Sequence, residues 1–283
     1  MKESSLYKLL NDKEWLLDKY NVQKLSTAEI SKLVGCSNAD TVARNLKRLQ
    51  IPIRSISERR RVKNNDFLRL NLPVINGSLL GDAYISKPHS KNWNSSLCKK
   101  NIYYDHVLFF AKQILEKNAE KRIFGPIEPS GNLSSNGKPY YFLNTYKHPE
   151  LTQLRKLWYP NGKKIIPRNI EITSETLLHW FLDDGYSYIV KYKGKTNTKN
   201  HIRVCLCSDC FTKNDLFWMR DLLKTKFNLY FHLGKKVNGH ILILRESQSN
   251  DFFALIGPCP VKSMEYKWKH TSRLDKLKEF DKI

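Results

Sequence analysis

The chain has 283 residues, with 49 Lys or Arg against 27 Asp or Glu, which gives a formal net charge of +22. A hydrophobic content of 41% is enough for a buried core and excludes a disordered polycation. No apolar run approaches the roughly 20 residues of a membrane span, and the N-terminus lacks the apolar segment of a secretory signal. We therefore expect no membrane partner and an intracellular protein that binds a polyanion, with nucleic acid the foremost candidate.

The six cysteines are too few and too scattered for a disulfide scaffold. Cys205, Cys207 and Cys210 lie close together, but a fourth ligand at a zinc-finger spacing is missing. Cys205 and Cys207 alternate within an apolar, strand-like segment, which favours burial in a core over metal binding. A reducing compartment is therefore predicted.

Residues 1–53 have the pattern of a small all-α domain. Ser26 and Glu29 have the spacing of a capping box at the start of a short helix, and Gly35 suits a left-handed helix end. Ser37 is expected to cap a second helix over residues 38–49. Two short helices joined by a tight turn are typical of a helix-turn-helix (HTH) module, in which the second helix reads DNA. Its outward face offers Arg44, Asn45, Lys47 and Arg48.

A small protein-binding bundle is the alternative interpretation of this module, and its basic outer face favours DNA. Residues 54–65 follow as a basic linker, which could run along phosphates.

Two apolar helices further along the chain each end in an acidic residue that is followed by strand-like residues. The first runs through Gly77 and Gly81 to Asp82, and the second runs from Ser174 to Asp184. Glycine weakens a helix, so two glycines four residues apart on one face indicate close approach to another backbone.

The segments after these two acids repeat the same order of elements: a β-ribbon, a helix, further strands and a final helix. A lysine closes each segment, Lys164 at 82 residues after Asp82 and Lys267 at 83 residues after Asp184. This agreement predicts an internal duplication, with one unit over residues 66–168 and the other over residues 169–283.

These motifs resemble the two motifs of single-chain LAGLIDADG homing endonucleases. The resemblance is carried by Gly77-Ser-Leu-Leu-Gly-Asp82 and by Leu177-Leu-His-Trp-Phe-Leu-Asp-Asp184-Gly, spans roughly residues 66 to 270 and leaves the HTH module outside. It implies an α+β fold in which a pseudo-twofold pair of αββαββα units packs its motif helices at the centre. The sheets would form a DNA-binding β-saddle, with the small HTH domain added at the N-terminus.

The resemblance also implies a site-specific endonuclease that cuts both strands of duplex DNA across the minor groove and leaves short 3′ overhangs. Asp82 and Asp184 would be its catalytic acids and would bind Mg²⁺, for which Mn²⁺ could substitute. The carbonyl groups of Gly81 and Asp183 would be further metal ligands. A carboxylate at the C-terminus of a helix calls for a cation, and oxygen ligands suit Mg²⁺.

Lys164 and Lys267 match the active-site lysines of the family and would stabilise the charge on the phosphate. Ser208 and Asp209 are candidates for the polar active-site residue on the second ribbon. His179 stands where a smaller residue is usual and is expected to be a packing residue. Basic residues on or near the ribbons are the expected DNA contacts in the major groove. They are Lys87, Lys99, Lys100, Lys191, Lys193, Arg203, Lys235, Lys236 and Arg245.

Two alternatives remain open beside a monomeric, intron-encoded endonuclease. A transcriptional regulator could combine an HTH with a LAGLIDADG core that no longer cleaves, but such regulators lose the acids, and both acids are present here. An RNA maturase could use the same basic surface on intron RNA, and retained acids are compatible with it. The predicted location is the cytoplasm or nucleoid of a bacterium or phage-infected cell, or an organelle matrix.

Overall fold

The computed structural model describes residues 5–36, 38–54, 70–90, 93–115, 118–128, 137–193, 198–236 and 239–271, without the side chains of residues 5–7, 192–193 and 198–200. The chain divides into two compact units, Met1–Asp66 and Phe67–Ile283. The predicted basic linker over residues 54–65 lies outside the described residues from position 55 onward, so its bounds stay a prediction.

The N-terminal unit is helical throughout its described part. A 3₁₀ segment (Ser5–Asn11) precedes α1 (Lys13–Leu17), a π-turn (Asp18–Val22), α2 (Thr27–Leu33) and α3 (Ala39–Arg48). Ser26 and Glu29 form the capping box at the start of α2, and Gly35 has φ 69° in the turn between α2 and α3. Asn38 caps α3 by accepting the Asp40 N–H, one residue after the predicted cap at Ser37.

A single hydrophobic cluster holds this unit together, and α3 contributes one face to it. Val42 and Leu46 are fully buried, and Leu49 packs against the cluster from a half-buried position. The arrangement is helix, turn and helix, and its role in DNA binding stays a prediction.

The second unit contains two copies of an αββαββα series, as predicted. The first repeat consists of α4 (Leu72–Leu80), β1 (Tyr84–Ile85), β2 (Leu97–Asn101), α5 (Tyr104–Ile114), β3 (Ile123–Ile127), β4 (Tyr140–Asn144) and α6 (Pro149–Trp158). The second repeat consists of α7 (Ser174–Asp184), β5 (Gly185–Lys193), β6 (Thr198–Cys207), α8 (Lys213–Phe227), β7 (Phe231–Lys236), β8 (Gly239–Leu244) and α9 (Ser249–Ile256).

Each repeat forms one four-stranded antiparallel sheet with the same strand order, β1-β2-β4-β3 in the first and β5-β6-β8-β7 in the second. Successive side chains of a strand point to opposite faces, so one face of each sheet covers the helices and the other is open. On β6, for example, Val204 and Leu206 are fully buried, and Cys205 between them is buried as well, whereas Arg203 and Cys207 on either side of these three residues are half-buried.

Helix α4 lies at the centre of this unit, because seven consecutive residues from Val74 to Leu80 are all buried. A helix that is apolar on every side must be surrounded by protein. One hydrophobic core, built from both repeats, encloses it. None of the helices in the described part of the chain is long and apolar enough to cross a membrane.

Candidate active site

The two motif helices, α4 and α7, pack against each other, and the glycines of α4 set the distance between them. A Cβ atom on Gly77 would lie 2.4 Å from the carbonyl oxygen of Thr176 and 2.7 Å from Cβ of His179. A Cβ atom on Gly81 would lie 2.4 Å from Cβ of Asp183. These distances are too short for any side chain, so the backbones can approach this closely only with glycine at both positions.

His179 supplies the bulk that Gly77 lacks on the opposite helix. Its ring is buried, stacks on Phe109 at a centroid distance of 5.5 Å and lies 3.3 Å from the Gln113 side-chain oxygen through Nε2. Burial, with the nearby positive charge of Lys99, lowers the pKa of His179 to about 3, so the ring is neutral. These contacts agree with the packing role predicted for His179.

The acids Asp82 and Asp184 are found at the C-terminal ends of these two helices. Asp82 lies two residues beyond the end of α4, and Asp184 is the last residue of α7. Desolvation raises the pKa of the Asp82 carboxyl to about 6, and the charge of Asp183 raises it as well. Desolvation likewise raises the pKa of the Asp184 carboxyl to about 7, and the charge of Asp82 adds to this shift. Carboxylates and helix C-termini are both negative, so this region favours a cation.

Lys164 and Lys267 hold the ends of the two motif helices. Lys164 Nζ donates to the carbonyl oxygens of Gly81 and Ala83, at 3.1 and 3.0 Å. Burial lowers the pKa of both ammonium groups. Lys267 is buried, and its Nζ donates to three carbonyl oxygens at the end of α7: those of Phe181, Leu182 and Asp183, at 3.0, 2.6 and 3.0 Å.

The matched spacing of the two lysines therefore has a structural counterpart that the sequence did not indicate. Each lysine satisfies carbonyl groups that the end of a helix leaves without an intrahelical partner. The carbonyls of Gly81 and Asp183, predicted as metal ligands, both accept a lysine hydrogen bond. A carbonyl oxygen has two lone pairs, so metal binding at these two atoms stays a prediction.

Asp183 has a side-chain environment that the sequence did not reveal. Its carboxylate is fully buried and forms an ion pair with Lys99, and Oδ1 also lies 3.1 Å from His106 Nε2. Oδ2 accepts the backbone N–H of Asp82 at 3.3 Å. Burial alone would raise the pKa of the Asp183 carboxyl, but Lys99 and His106 hold it well below its usual range.

The prediction that Lys99 contacts DNA is wrong. Its side chain has no exposed surface, because position 99 lies on the helix-covered face of β2. Its Nζ also donates to Ser78 Oγ at 3.0 Å, on helix α4. Ser208, a candidate active-site residue on the second ribbon, is buried as well and donates to the carbonyl oxygen of Leu206.

The other predicted DNA contacts fall into two groups by what their side chains do. Four of them are held by neighbouring protein groups, and one of these, Arg48, is also exposed: its guanidinium donates to the side-chain oxygens of Asn11 and Asn45. Asn45 donates to the carbonyl of Thr41 on its own helix, Arg203 binds Glu246 and Tyr188, and Lys236 lies 3.2 Å from Cys207 Sγ and 3.6 Å from Asp209. The side chain of Lys193 is outside the described atoms. The exposed ones are Arg44, Lys47, Arg48, Lys87, Lys100, Lys191, Lys235 and Arg245.

A metal at Asp82 and Asp184 would need oxygen ligands beyond these two side chains. Within the described segments, no group of three or more His, Cys, Asp or Glu side chains could hold a metal ion. Backbone carbonyls, water and DNA phosphate would have to complete the coordination, and these are the ligands that Mg²⁺ accepts. All six cysteines are free thiols, and Cys98 and Cys205 are buried.

Comparison with known proteins gives a family match over most of the second unit. Residues 72–252 match the model of the LAGLIDADG DNA endonuclease family. The uncharacterized protein MJ1098 of Methanocaldococcus jannaschii is 27% identical over 271 residues, which cover 95% of this chain and all of that protein. Cytochrome b mRNA maturase bI2 of Debaryomyces hansenii is 24% identical over 219 residues, which cover 73% of this chain and 79% of the maturase.

The second unit has the fold of the homing endonuclease I-WcaI, whose structure bound to its DNA recognition sequence matches with a TM-score of 0.59 and 22% sequence identity. The match covers 77% of this chain and 95% of that one.

Proposed function

The chain belongs to the LAGLIDADG DNA endonuclease family, and we propose that it is a monomeric homing endonuclease that recognises a specific DNA sequence and cuts both strands. The observation that supports this most strongly is the convergence of Asp82 and Asp184 at the ends of two helices packed through Gly77 and Gly81. One chain then supplies both acids, so a second copy is not required.

We infer that Asp82 and Asp184 hold divalent cations, Mg²⁺ or Mn²⁺, when DNA is bound. A divalent cation supplies an activated water molecule and neutralises the charge that develops on the scissile phosphate. The donor set fits such an ion, because Asp82 and Asp184 are interacting carboxylates with raised pKa values and offer hard oxygen ligands.

The protein's own contribution is to fix these two carboxylates before the reaction begins. Lys164 and Lys267 hold the ends of α4 and α7 by their carbonyl groups and place positive charge beside the acids. An ammonium group has three N–H donors, and Lys267 directs all three at carbonyl oxygens. Lys267 is therefore proposed to position α7 and to act on phosphate only through its charge, whereas Lys164 has a donor left for a phosphate oxygen.

Exposed basic residues on the sheets and loops are proposed to bind the DNA backbone and bases. Lys100 and Lys235 lie on strands, and Lys191 lies on the long β5–β6 hairpin. In the N-terminal unit, Arg44 and Lys47 on α3 are proposed to bind flanking DNA. Linking two DNA-binding modules raises overall affinity and lengthens the footprint.

The test is a cleavage selection on a randomised duplex library with Mg²⁺, Mn²⁺ or a chelator. Wild-type protein runs beside the Asp82→Asn/Asp184→Asn variant, and the cut ends are captured and sequenced. Enrichment of one long motif with short 3′ overhangs, only in wild type and only with metal, is the expected result. Retention of a specific duplex without cutting by either protein would contradict the nuclease and favour a regulator.

An RNA maturase is a second candidate, favoured by the similarity to the maturase bI2 over 73% of this chain. The maturase and endonuclease proposals are distinguished by comparing the protein's affinity for the selected DNA duplex with its affinity for an RNA duplex of the same sequence. A-form RNA presents a different groove geometry from B-form DNA, so one surface does not fit both equally. A preference for RNA that persists in the Asp82→Asn/Asp184→Asn variant would support the maturase.

A further inference from the structure

The two repeats correspond residue by residue around the active site. Tyr84 pairs with Cys98 across β1 and β2, just as Tyr186 pairs with Cys205 across β5 and β6. Both tyrosines lie two residues after a catalytic acid. These pairs fix the correspondence between the two sheets.

Position 99 and position 206 are equivalent in this correspondence. Lys99 and Leu206 each follow the paired cysteine, and each pairs with a buried leucine, Leu143 or Leu242, on the next strand. Both side chains are fully buried beneath their sheets. The first repeat therefore has a charged residue where the second has an apolar one.

A second exchange lies immediately before the acids. Gly81 precedes Asp82, and Asp183 precedes Asp184. The buried charge of Asp183 and the buried charge of Lys99 belong to different repeats, and they form an ion pair with each other. The equivalent positions of the other pair, Leu206 and Gly81, are uncharged, so the fold does not require a charged pair here.

The catalytic acids are held by different means. Asp184 is the last residue of α7, so the helix backbone orients it. Asp82 lies beyond α4, whose last residue is Leu80 and whose cap is Gly81. The acceptor for the Asp82 backbone N–H is Oδ2 of Asp183, at 3.3 Å. The other oxygen, Oδ1, forms the ion pair with Lys99 and lies 3.1 Å from His106 Nε2, and these two buried side chains confine the carboxylate.

We propose that Asp183, locked by Lys99 and His106, is a positioning residue for Asp82, and that it makes the two halves of the active site unequal. The buried Asp183 side chain acts by holding the backbone of Asp82 in the turn after α4, at a distance from the reacting atoms. Gly81, at the equivalent place in the first repeat, has no side chain and leaves Asp184 to its helix. This inference rests on the proposed endonuclease function.

The test compares strand-specific nicking of a supercoiled plasmid that carries the selected site. Two variants are used: Asp183→Asn, which keeps the shape and removes the charge, and Lys99→Leu/Asp183→Ala, which copies the apolar character of the equivalent positions, with alanine for glycine. Asp82→Asn and Asp184→Asn, each alone, identify which strand depends more on which acid. Lys156→Leu, at an exposed lysine of α6 that is not among the proposed DNA contacts, is the control for a lost charge in the same repeat.

We expect the variants to slow the cleavage of one DNA strand and to leave binding and cleavage of the other strand nearly unchanged. Both variants bind the site with a Kd within about threefold of the wild-type value, which is less than one tenfold step in affinity. Their single-turnover rate falls by about tenfold or more on the strand that Asp82→Asn impairs most, so that nicked plasmid accumulates. The other strand is cut within about threefold of the wild-type rate. Equal slowing of both strands, or slowing of the strand that depends on Asp184, would overturn the proposal.

Mn²⁺ titration of DNA-free protein, followed by electron paramagnetic resonance, provides a readout that does not depend on cleavage. In Asp183→Asn we expect the same weakened Mn²⁺ binding that Asp82→Asn causes, and unchanged binding in Lys156→Leu. An unaltered titration in Asp183→Asn would refute the positioning role. Where wild-type protein cuts no library sequence, the proposed nuclease fails, and this titration still decides whether Asp183 positions Asp82.

Discussion

The first and second repeats share strand order, element order and the acid-to-lysine spacing, yet their interiors differ in polarity. Beneath the first sheet lie Lys99 and His106, and at the equivalent strand position beneath the second sheet lies Leu206. The lysine of the first repeat donates to two carbonyls at the end of its motif helix, and that of the second donates to three. The two repeats share the positions of the acids and lysines, while the residues buried around them differ.

The coupling between the repeats is broken most severely by removing one partner of the buried ion pair. Lys99→Leu leaves the Asp183 carboxylate buried beside His106 alone. An uncompensated buried charge destabilises a protein by about 3–5 kcal/mol, so we expect a loss of that size in the free energy of unfolding. Urea unfolding of the metal-free protein measures it.

The matched control is Lys100→Leu, because Lys100 is the exposed neighbour on the same strand. A surface change of this kind alters stability by less than about 0.5 kcal/mol. Lys99→Leu/Asp183→Ala should be more stable than the sum of the two single changes predicts, by about 2 kcal/mol or more. Additive losses would show that the two residues do not stabilise each other.

The lysines that hold the motif helices provide the next comparison. Lys267→Met leaves three carbonyl oxygens at the end of α7 without their donor, whereas Lys164→Met affects two at the end of α4. Each buried acceptor that loses its partner costs about 1 kcal/mol or more, so we expect losses of about 3 and about 2 kcal/mol. Thermal unfolding ranks the two variants, and a larger loss in Lys164→Met would contradict the assignment.

The glycine contact between the repeats is expected to have a somewhat smaller effect. In Gly77→Ala the new Cβ would lie 2.4 Å from a backbone oxygen of α7, which has little freedom to move. Overpacking of this kind costs about 1–3 kcal/mol. Gly234→Ala is the control, since its Cβ would meet side-chain methyl groups of Ile243 and Ile241, at 2.6 and 2.9 Å, and no backbone atom. Denaturant midpoints should fall further in Gly77→Ala than in Gly234→Ala.

The sequence was sufficient for the parts of the molecule on which the proposed chemistry depends. Two acids after two apolar helices, the order of elements and the lysine spacing are all readable, because the motif requires particular residues at fixed positions. The role of the lysines in satisfying carbonyl groups was not readable, since it depends on where a long side chain reaches in space.

The error at Lys99 has a physical cause in the length of the first ribbon. Strand β5 has nine residues and pairs with β6 over its full length, whereas β1 has only two residues, Tyr84 and Ile85, to pair with β2. The pairing of Tyr84 with Cys98 is visible only in the structure, and the sequence alone does not indicate which face of β2 each residue occupies. The basic character of the ribbon therefore predicts a DNA contact for Lys99, whereas alternation along the strand turns its side chain inward.

The neighbouring acids Asp183 and Asp184 provide the subtlest prediction, because they should respond to pH with opposite signs. A raised carboxyl pKa means that the folded state binds protons more tightly than the unfolded state, so stability falls as pH rises. The pKa values of about 6 for Asp82 and about 7 for Asp184 place this loss between about pH 4 and pH 8.

The free energy of unfolding of metal-free Asp82→Asn/Asp184→Asn should match that of wild type near pH 4 and exceed it by about 1–2 kcal/mol at pH 8. Asp183→Asn should instead be less stable than wild type at pH 8, since Lys99 and His106 hold the pKa of that carboxyl low. Addition of Mg²⁺ should raise the melting temperature of wild type at pH 8 and leave the double variant unchanged, because only a folded site with both carboxylates binds the ion. Equal pH profiles for all three proteins would show that these carboxyl groups are solvated like ordinary surface acids.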